Sequence, residues 1–192
     1  MDTSNVEELE TLNELHSYFS GGTLDVTVHE TQDDGTIKEI HKVTGGPYGG
    51  IKVNEQFESL LEKLFGTGKI KTYKEESPSD WISLMNEFEG KKRGKRILET
   101  GLMTNIRLPR SFVILANQTR SNAMERYGEK EVKLKSNEYL SLSSGMMKKL
   151  FNPVVQSIKE HLKTLKKSLN SQKWKLCFLL EDSLIQRFCN RR

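Results

Sequence analysis

Cysteine is scarce in this chain of 192 residues: Cys177 and Cys189 stand alone, without the paired spacing of a metal knuckle. That excludes a disulfide scaffold and a cysteine zinc site, and it suits a reducing compartment. The four histidines, His16, His29, His41 and His161, share no i, i+4 or short-loop spacing, so no metal site is expected. Charge of one sign is lacking too. Thirty basic against twenty-six acidic residues leave a net +4, too mild for a nucleic-acid partner, and the basic runs at 91–96 and 163–167 read as solvated helix faces. No apolar run approaches the ~20 residues that span a bilayer. The opening MDTSNVEELETL is acidic and polar, unlike a secretory signal. The expectation is a cytoplasmic protein with no membrane or nucleic-acid partner.

Glycine is present where it matters. In residues 20–53, SGGTLDVTVHETQDDGTIKEIHKVTGGPYGGIKV, apolar residues alternate at Leu24, Val26 and Val28. The alternation is expected to resume, after Asp33-Asp34-Gly35, at Ile37, Ile40 and Val43. Period two on both sides of Asp-Gly predicts a β-hairpin. Gly21-Gly22-Thr23 enters its first strand, and Gly45-Gly46-Pro47-Tyr48-Gly49-Gly50 leaves its second. Two glycine turns thus lie at one end, where bare backbone N–H groups can approach phosphate.

The other elements follow from periodicity. Residues 1–17, with Val6, Leu9, Leu12 and Leu15, read as a short amphipathic helix. Phe57, Leu60, Leu61 and Leu64 mark a second helix, expected to be capped by Asn54 and stopped at Gly66. The next residues, GTGK, lack the first glycine and the hydroxyl residue of a Walker A loop and read as a plain loop. Ser77-Pro78-Ser79-Asp80 is a helix start with a capping hydroxyl, and Trp81, Leu84, Met85 and Phe88 are its buried stripe. One turn further, Lys92 falls on the edge of that stripe, and Glu89 and Arg93, four apart, can pair. Residues 104–115 read as a strand or extended segment broken at Pro109, and a short strand is expected near 131–134. Ser143 or Ser144 should cap the longest helix, whose stripe runs from Met147 to Leu165 and continues in phase past Pro153. KWKLCFLL, 173–180, reads as a buried strand.

The two glycine turns, their hairpin and the later Glu-x-x-Lys-Arg spacing occur in an order that resembles the 70-kDa heat-shock protein family. The wording GGTLDVTVHE and KEIHKVTGGPYGG is most similar to its divergent heat shock 70 kDa protein 12 (12A/12B-type) branch. The resemblance runs from about residue 20 to about residue 180. It implies an α/β fold, the second lobe of an actin-like (ribonuclease H-like) ATPase domain, with a β-hairpin sheet and a mainly helical subdomain. The implied division is a divergent segment at 1–17, a sheet-containing subdomain at 18–44 and 135–192, and a mainly helical insertion at 45–134. A complete two-lobed ATPase domain is on the order of twice this length, given typical domain sizes.

The resemblance further implies binding of ATP with magnesium. It places Gly21, Gly22 and Thr23 in a phosphate turn, Gly49 and Gly50 in a second turn, and Glu89, Lys92 and Arg93 on a helix beside the adenine. There the arginine would stack on the base while the glutamate and lysine contact the ribose. Two departures accompany these matches: Tyr18-Phe19-Ser20 stands where relatives carry an Asp and a further Gly, and 181–186 contain none of the glycines of the family's adenosine loop. Since phosphoryl transfer draws on groups from both sides of the phosphates, no catalytic residue is singled out. The expectation is an ATP-binding relative of a chaperone-type ATPase, weak or inactive alone. The alternative is a non-catalytic interaction or regulatory fragment, or an incomplete gene product, without nucleotide binding. A protein partner, or self-association through exposed lobe surface, belongs to that alternative.

Overall fold

The computed structural model describes residues 13–19, 22–32, 34–94, 96–118, 127–128, 130–136, 138–168 and 174–180, the strands 13–19 and 174–180 by their backbone. The readings placed on 1–12, Ser20, Gly21, Asp33 and 181–186 lie outside these residues. The fold is α/β. A larger sheet has the order β3 (Ile37–Gly46), β2 (Leu24–Thr31), β1 (Asn13–Phe19), β7 (Trp174–Leu180), and a smaller one the order β4 (Met103–Arg107), β6 (Tyr139–Ser143), β5 (Val132–Lys135).

The hairpin forms as the alternation requires. β2 (Leu24–Thr31) pairs antiparallel with β3 (Ile37–Gly46), and Leu24, Val26 and Val28 are all fully buried. Gly35, at φ +80°, supplies the left-handed turn conformation. The expectation for β3 needs correcting: Ile37 and Val43 are 69% and 50% exposed. Ile37, Ile40 and Val43 follow one another at steps of three, and a step of three changes face in a strand whose side chains alternate. The ladder is also irregular here. His41 and Glu39 sit opposite the consecutive residues Val28 and His29, so β3 carries an extra residue at this point.

The helix expected over 1–17 is likewise corrected where it is described, because β1 (Asn13–Phe19) is a strand. It lies between β2, antiparallel, and β7 (Trp174–Leu180), parallel, with Leu15 opposite Val28 and Leu176. Pairing on both sides outweighs a weak helical period.

Between β3 and β7 the chain is mainly helical. α1 (Gly50–Phe65) ends at Gly66, whose N–H donates to the Glu62 carbonyl at 2.7 Å. The GTGK sequence is not a loop but the first turn of α2 (Thr67–Glu76). Its predecessor is a helix, not the strand that a Walker A loop follows. α3 (Pro78–Lys92) begins at Ser77 and Pro78, yet the Ser77 hydroxyl makes no capping bond; Asp80 supplies the first-turn carboxylate. Leu84 and Phe88 are fully buried, and Trp81 and Met85 pack against them. The Phe88 ring stacks on Phe57 of α1 with centroids 4.0 Å apart.

β4 (Met103–Arg107) ends before Pro109, and the strand expected through 115 turns instead into α4 (Arg110–Gln118). Proline favours extended backbone in Leu108 before it, and its carbonyl accepts the Val113 N–H at 3.0 Å, opening the helix. Phe112 and Ala116, four apart, are its buried residues. β5 (Val132–Lys135) and β6 (Tyr139–Ser143) complete the small sheet. The Ser143 hydroxyl then caps α5 (Ser144–Ser168) by accepting the Met146 N–H at 3.0 Å. α5 runs through Pro153 without ending, as its stripe demands: Met147, Phe151, Val154 and Ile158 are buried on either side. One hydrophobic cluster joins β2, the helices and the small sheet.

Candidate functional site

The glycine turn that leaves β3 and the last turn of α3 meet. Gly49 donates its N–H to the Gly22 carbonyl at 3.2 Å, so the turn before β2 and the turn after β3 touch through their backbones. The approach leaves no room for a side chain, since a Cβ on Gly49 would lie 2.5 Å from the Gly22 backbone. Both Gly49 and Gly50 are buried. α1 starts at this point with no side-chain cap and no acidic residue in its first turn. Its dipole therefore presents an uncompensated positive end beside Gly22.

α3 arrives from the other side. Its Lys92 is only 3% exposed, and the ammonium donates to the Gly50 carbonyl at 2.8 Å and to Asn54 Oδ1 at 3.0 Å. It also pairs with Glu89 Oε2 at 2.6 Å. Asn54 closes the ring by donating from Nδ2 to the same Glu89 oxygen at 2.8 Å. The other Glu89 oxygen accepts from Arg93 Nε at 2.9 Å, and the Arg93 side chain is 61% exposed. Burial by itself would raise the Glu89 carboxyl. The hydrogen bonds from Lys92 and Asn54, the Lys92 charge and the Arg93 contact outweigh it and hold the group below its ordinary value. The cluster thus keeps a carboxylate ionised and one guanidinium turned outward.

Gly22, Gly49, Gly50, Glu89, Lys92 and Arg93 are therefore gathered within one backbone contact and one polar ring; Gly21 lies outside the described residues. Thr23 is exposed at the mouth of β2. Asn54 was expected to cap α1, but the helix begins four residues earlier and Asn54 joins the ring instead. The signal was in the sequence: Asn54 follows Gly50 by one helical turn and so shares its face. Among the described residues no group of three His, Cys, Asp or Glu side chains could hold a metal ion, and no helix is long and apolar enough to cross a membrane.

A second polar network occupies the opposite end of α3. Ser111 of α4 donates to Asp80 and so must accept from the Tyr73 hydroxyl, 2.7 Å away. Tyr73 and Ser111 line an open cleft of about 470 Å³ between α2 and α4. Another cleft, of about 560 Å³, lies between the end of α3 and β4, with Gly90, Gly94 and Thr104 in its wall.

No family model matches the chain. Individual proteins do. Over 150 residues, 76% of this chain, it is 40% identical to human heat shock 70 kDa protein 12A, and the mouse protein of the same name matches equally. Human heat shock 70 kDa protein 12B is 38% identical over 165 residues, 83% of this chain. This chain is a relative of the heat shock 70 kDa protein 12 branch. The matches cover 22% to 24% of those proteins' own length. The similarity is thus to one part of a 70-kDa heat-shock protein, and the expected kinship is borne out.

Proposed function

We propose that this chain carries part of a nucleotide site of the heat-shock ATPase type, within an actin-like, ribonuclease H-like lobe. ATP with magnesium is the ligand this reading assigns. The observation that carries it is the meeting of Gly22, Gly49 and Gly50 with Glu89, Lys92 and Arg93, three segments far apart in sequence, around the uncapped start of α1. The hairpin-bearing sheet, with mainly helical residues between β3 and β7, supports the lobe assignment.

A phosphate fits this place by its chemistry. The start of a helix with no carboxylate in its first turn favours an anion, and the glycines at 22 and 49 keep the backbone bare. Gly21, Gly22 and Thr23 would form the phosphate turn, with Gly49 and Gly50 beside it. Arg93, exposed and held by Glu89, offers a planar face on which a purine can stack. Magnesium would supply charge neutralisation between phosphate oxygens, and the described residues add no carboxylate cluster for it. No catalytic side chain is assigned.

Titration with Mg-ATP, followed by amide and arginine side-chain NMR signals, tests the reading. Binding should be weak, on the order of 1 mM or about −4 kcal/mol, with shifts concentrated at Gly22, Gly50 and Arg93. Shifts confined to the two clefts, or none at saturating nucleotide, would refute it. The alternative, a non-catalytic interaction piece, draws on Ile37 and Val43, both exposed on β3 at the end of the strand order. Sedimentation of the wild type against Ile37→Lys tests it: an association that the lysine abolishes would favour a protein contact.

A further inference from the structure

We infer that Lys92 is a positioning residue: its ammonium pins the end of α3 to the glycine turn, and the ligand is left to Arg93. An ammonium has three N–H donors and no more. Three acceptors surround this one, the Gly50 carbonyl, Asn54 Oδ1 and Glu89 Oε2, at 2.8, 3.0 and 2.6 Å. A ribose hydroxyl could reach Lys92 only by displacing one of them, and the residue is 3% exposed. Arg93, by contrast, stands 61% exposed with its Nε anchored on the other Glu89 oxygen.

The pin has a mechanical consequence. Gly50 and Asn54 are one turn apart at the start of α1, so Lys92 grips that turn at two points. Gly49, the preceding residue, is bonded to Gly22. A displacement of α3 is thereby carried to the start of α1 and on to the turn before β2, and the two sides of the site move as a unit. The pin itself stands without any nucleotide; only what Arg93 meets rests on the function proposed above.

Two measurements on the full chain test this. In the first, amide hydrogen exchange is compared in the wild type, Lys92→Met and Asn54→Ala. Exchange at Gly49 should accelerate about tenfold in Lys92→Met, the order expected when charge-assisted hydrogen bonds are lost, and less in Asn54→Ala. Amides between β4 and β6 should keep their wild-type rates. Unchanged exchange at Gly49 in folded Lys92→Met overturns the pin, and should that variant fail to fold, unchanged exchange in Asn54→Ala does so. In the second, Lys92→Met should lose the same factor in affinity for Mg-ATP and for Mg-2′,3′-dideoxy-ATP. A loss seen with ATP alone would mean that Lys92 touches the ribose and would overturn the positioning role. If neither nucleotide binds the wild type, the nucleotide reading fails, while the Gly49 exchange still decides the pin.

Discussion

The two ends of α3 carry polar networks of opposite design. At its start, Asp80, Ser111 and Tyr73 form a line in which each hydroxyl proton has an acceptor, and every member belongs to the helical part or its α4 neighbour. At its end, Glu89, Lys92 and Asn54 form a ring that reaches the glycine turn, and Arg93 is left projecting into solvent. The first network joins helices to one another. The second joins a helix to the only place among the described residues where two glycine turns touch, and it ends in an exposed planar cation. Hydrogen bonding alone does not separate a structural cluster from a candidate site. The exposed group at the end of the chain of contacts does.

The largest expected effect falls on both ends together. Phe88 is fully buried and stacked on Phe57, so Phe88→Ala should destabilise the protein by about 3–5 kcal/mol, the usual range for an aromatic truncated to alanine in a core. Urea unfolding measures it, and a loss below about 1 kcal/mol would mean that the two ends are not held by a common core. Ser111→Ala isolates the first network. It leaves the Tyr73 hydroxyl and the Asp80 carboxylate without their shared partner and should cost about 1–2 kcal/mol. Exchange at Gly49 should not change, because the network does not reach the turn.

Acid and alkali should separate the two ends. Glu89 has its folded value below the ordinary 4.5. Its contribution is present above that unfolded value and is lost as pH falls through the folded one, so the glycine-turn end weakens in acid. Burial first, and the Asp80 charge with it, raise Tyr73 above 10.0. That contribution is complete below the unfolded value and is lost as pH rises through the folded one, so the other end weakens in alkali. Unfolding curves of Glu89→Gln and Tyr73→Phe against pH check this. The glutamine variant should flatten the acid limb alone and the phenylalanine variant the alkaline limb alone.

Legibility in the sequence followed the same division. Stripes at regular spacing were readable: Leu24, Val26 and Val28 in β2, and Trp81 to Phe88 in α3, all pack as their periods imply. Features set by a distant neighbour were not. Residues 1–17 look helical through Val6, Leu9, Leu12 and Leu15, yet 13–17 belong to strand β1, which β2 and β7 flank. Ile37, Ile40 and Val43 imitate alternation at a spacing of three, which a bulged ladder leaves partly in solvent. Of the candidate site, the Glu89–Arg93 pair was legible from spacing alone. Its link to Gly50 through Lys92 and Asn54 was not, because residues 38 to 42 positions apart meet only after α1 and α3 pack.

In the proposed nucleotide site the glycine turn and the end of α3 act together, with Arg93 as the purine platform. The most direct measurement is the affinity for Mg-ATP of Arg93→Ala beside Arg96→Ala. Both side chains are exposed and each is paired to a glutamate, Arg93 to Glu89 and Arg96 to Glu99. Only Arg93 is joined to the ring that reaches Gly50. Arg93→Ala should weaken binding by about 1–2 kcal/mol, the range for a partly desolvated stacking cation, and Arg96→Ala should leave it nearly unchanged. Equal losses from the two would show that positive charge in general, and not a defined platform at Arg93, holds the ligand.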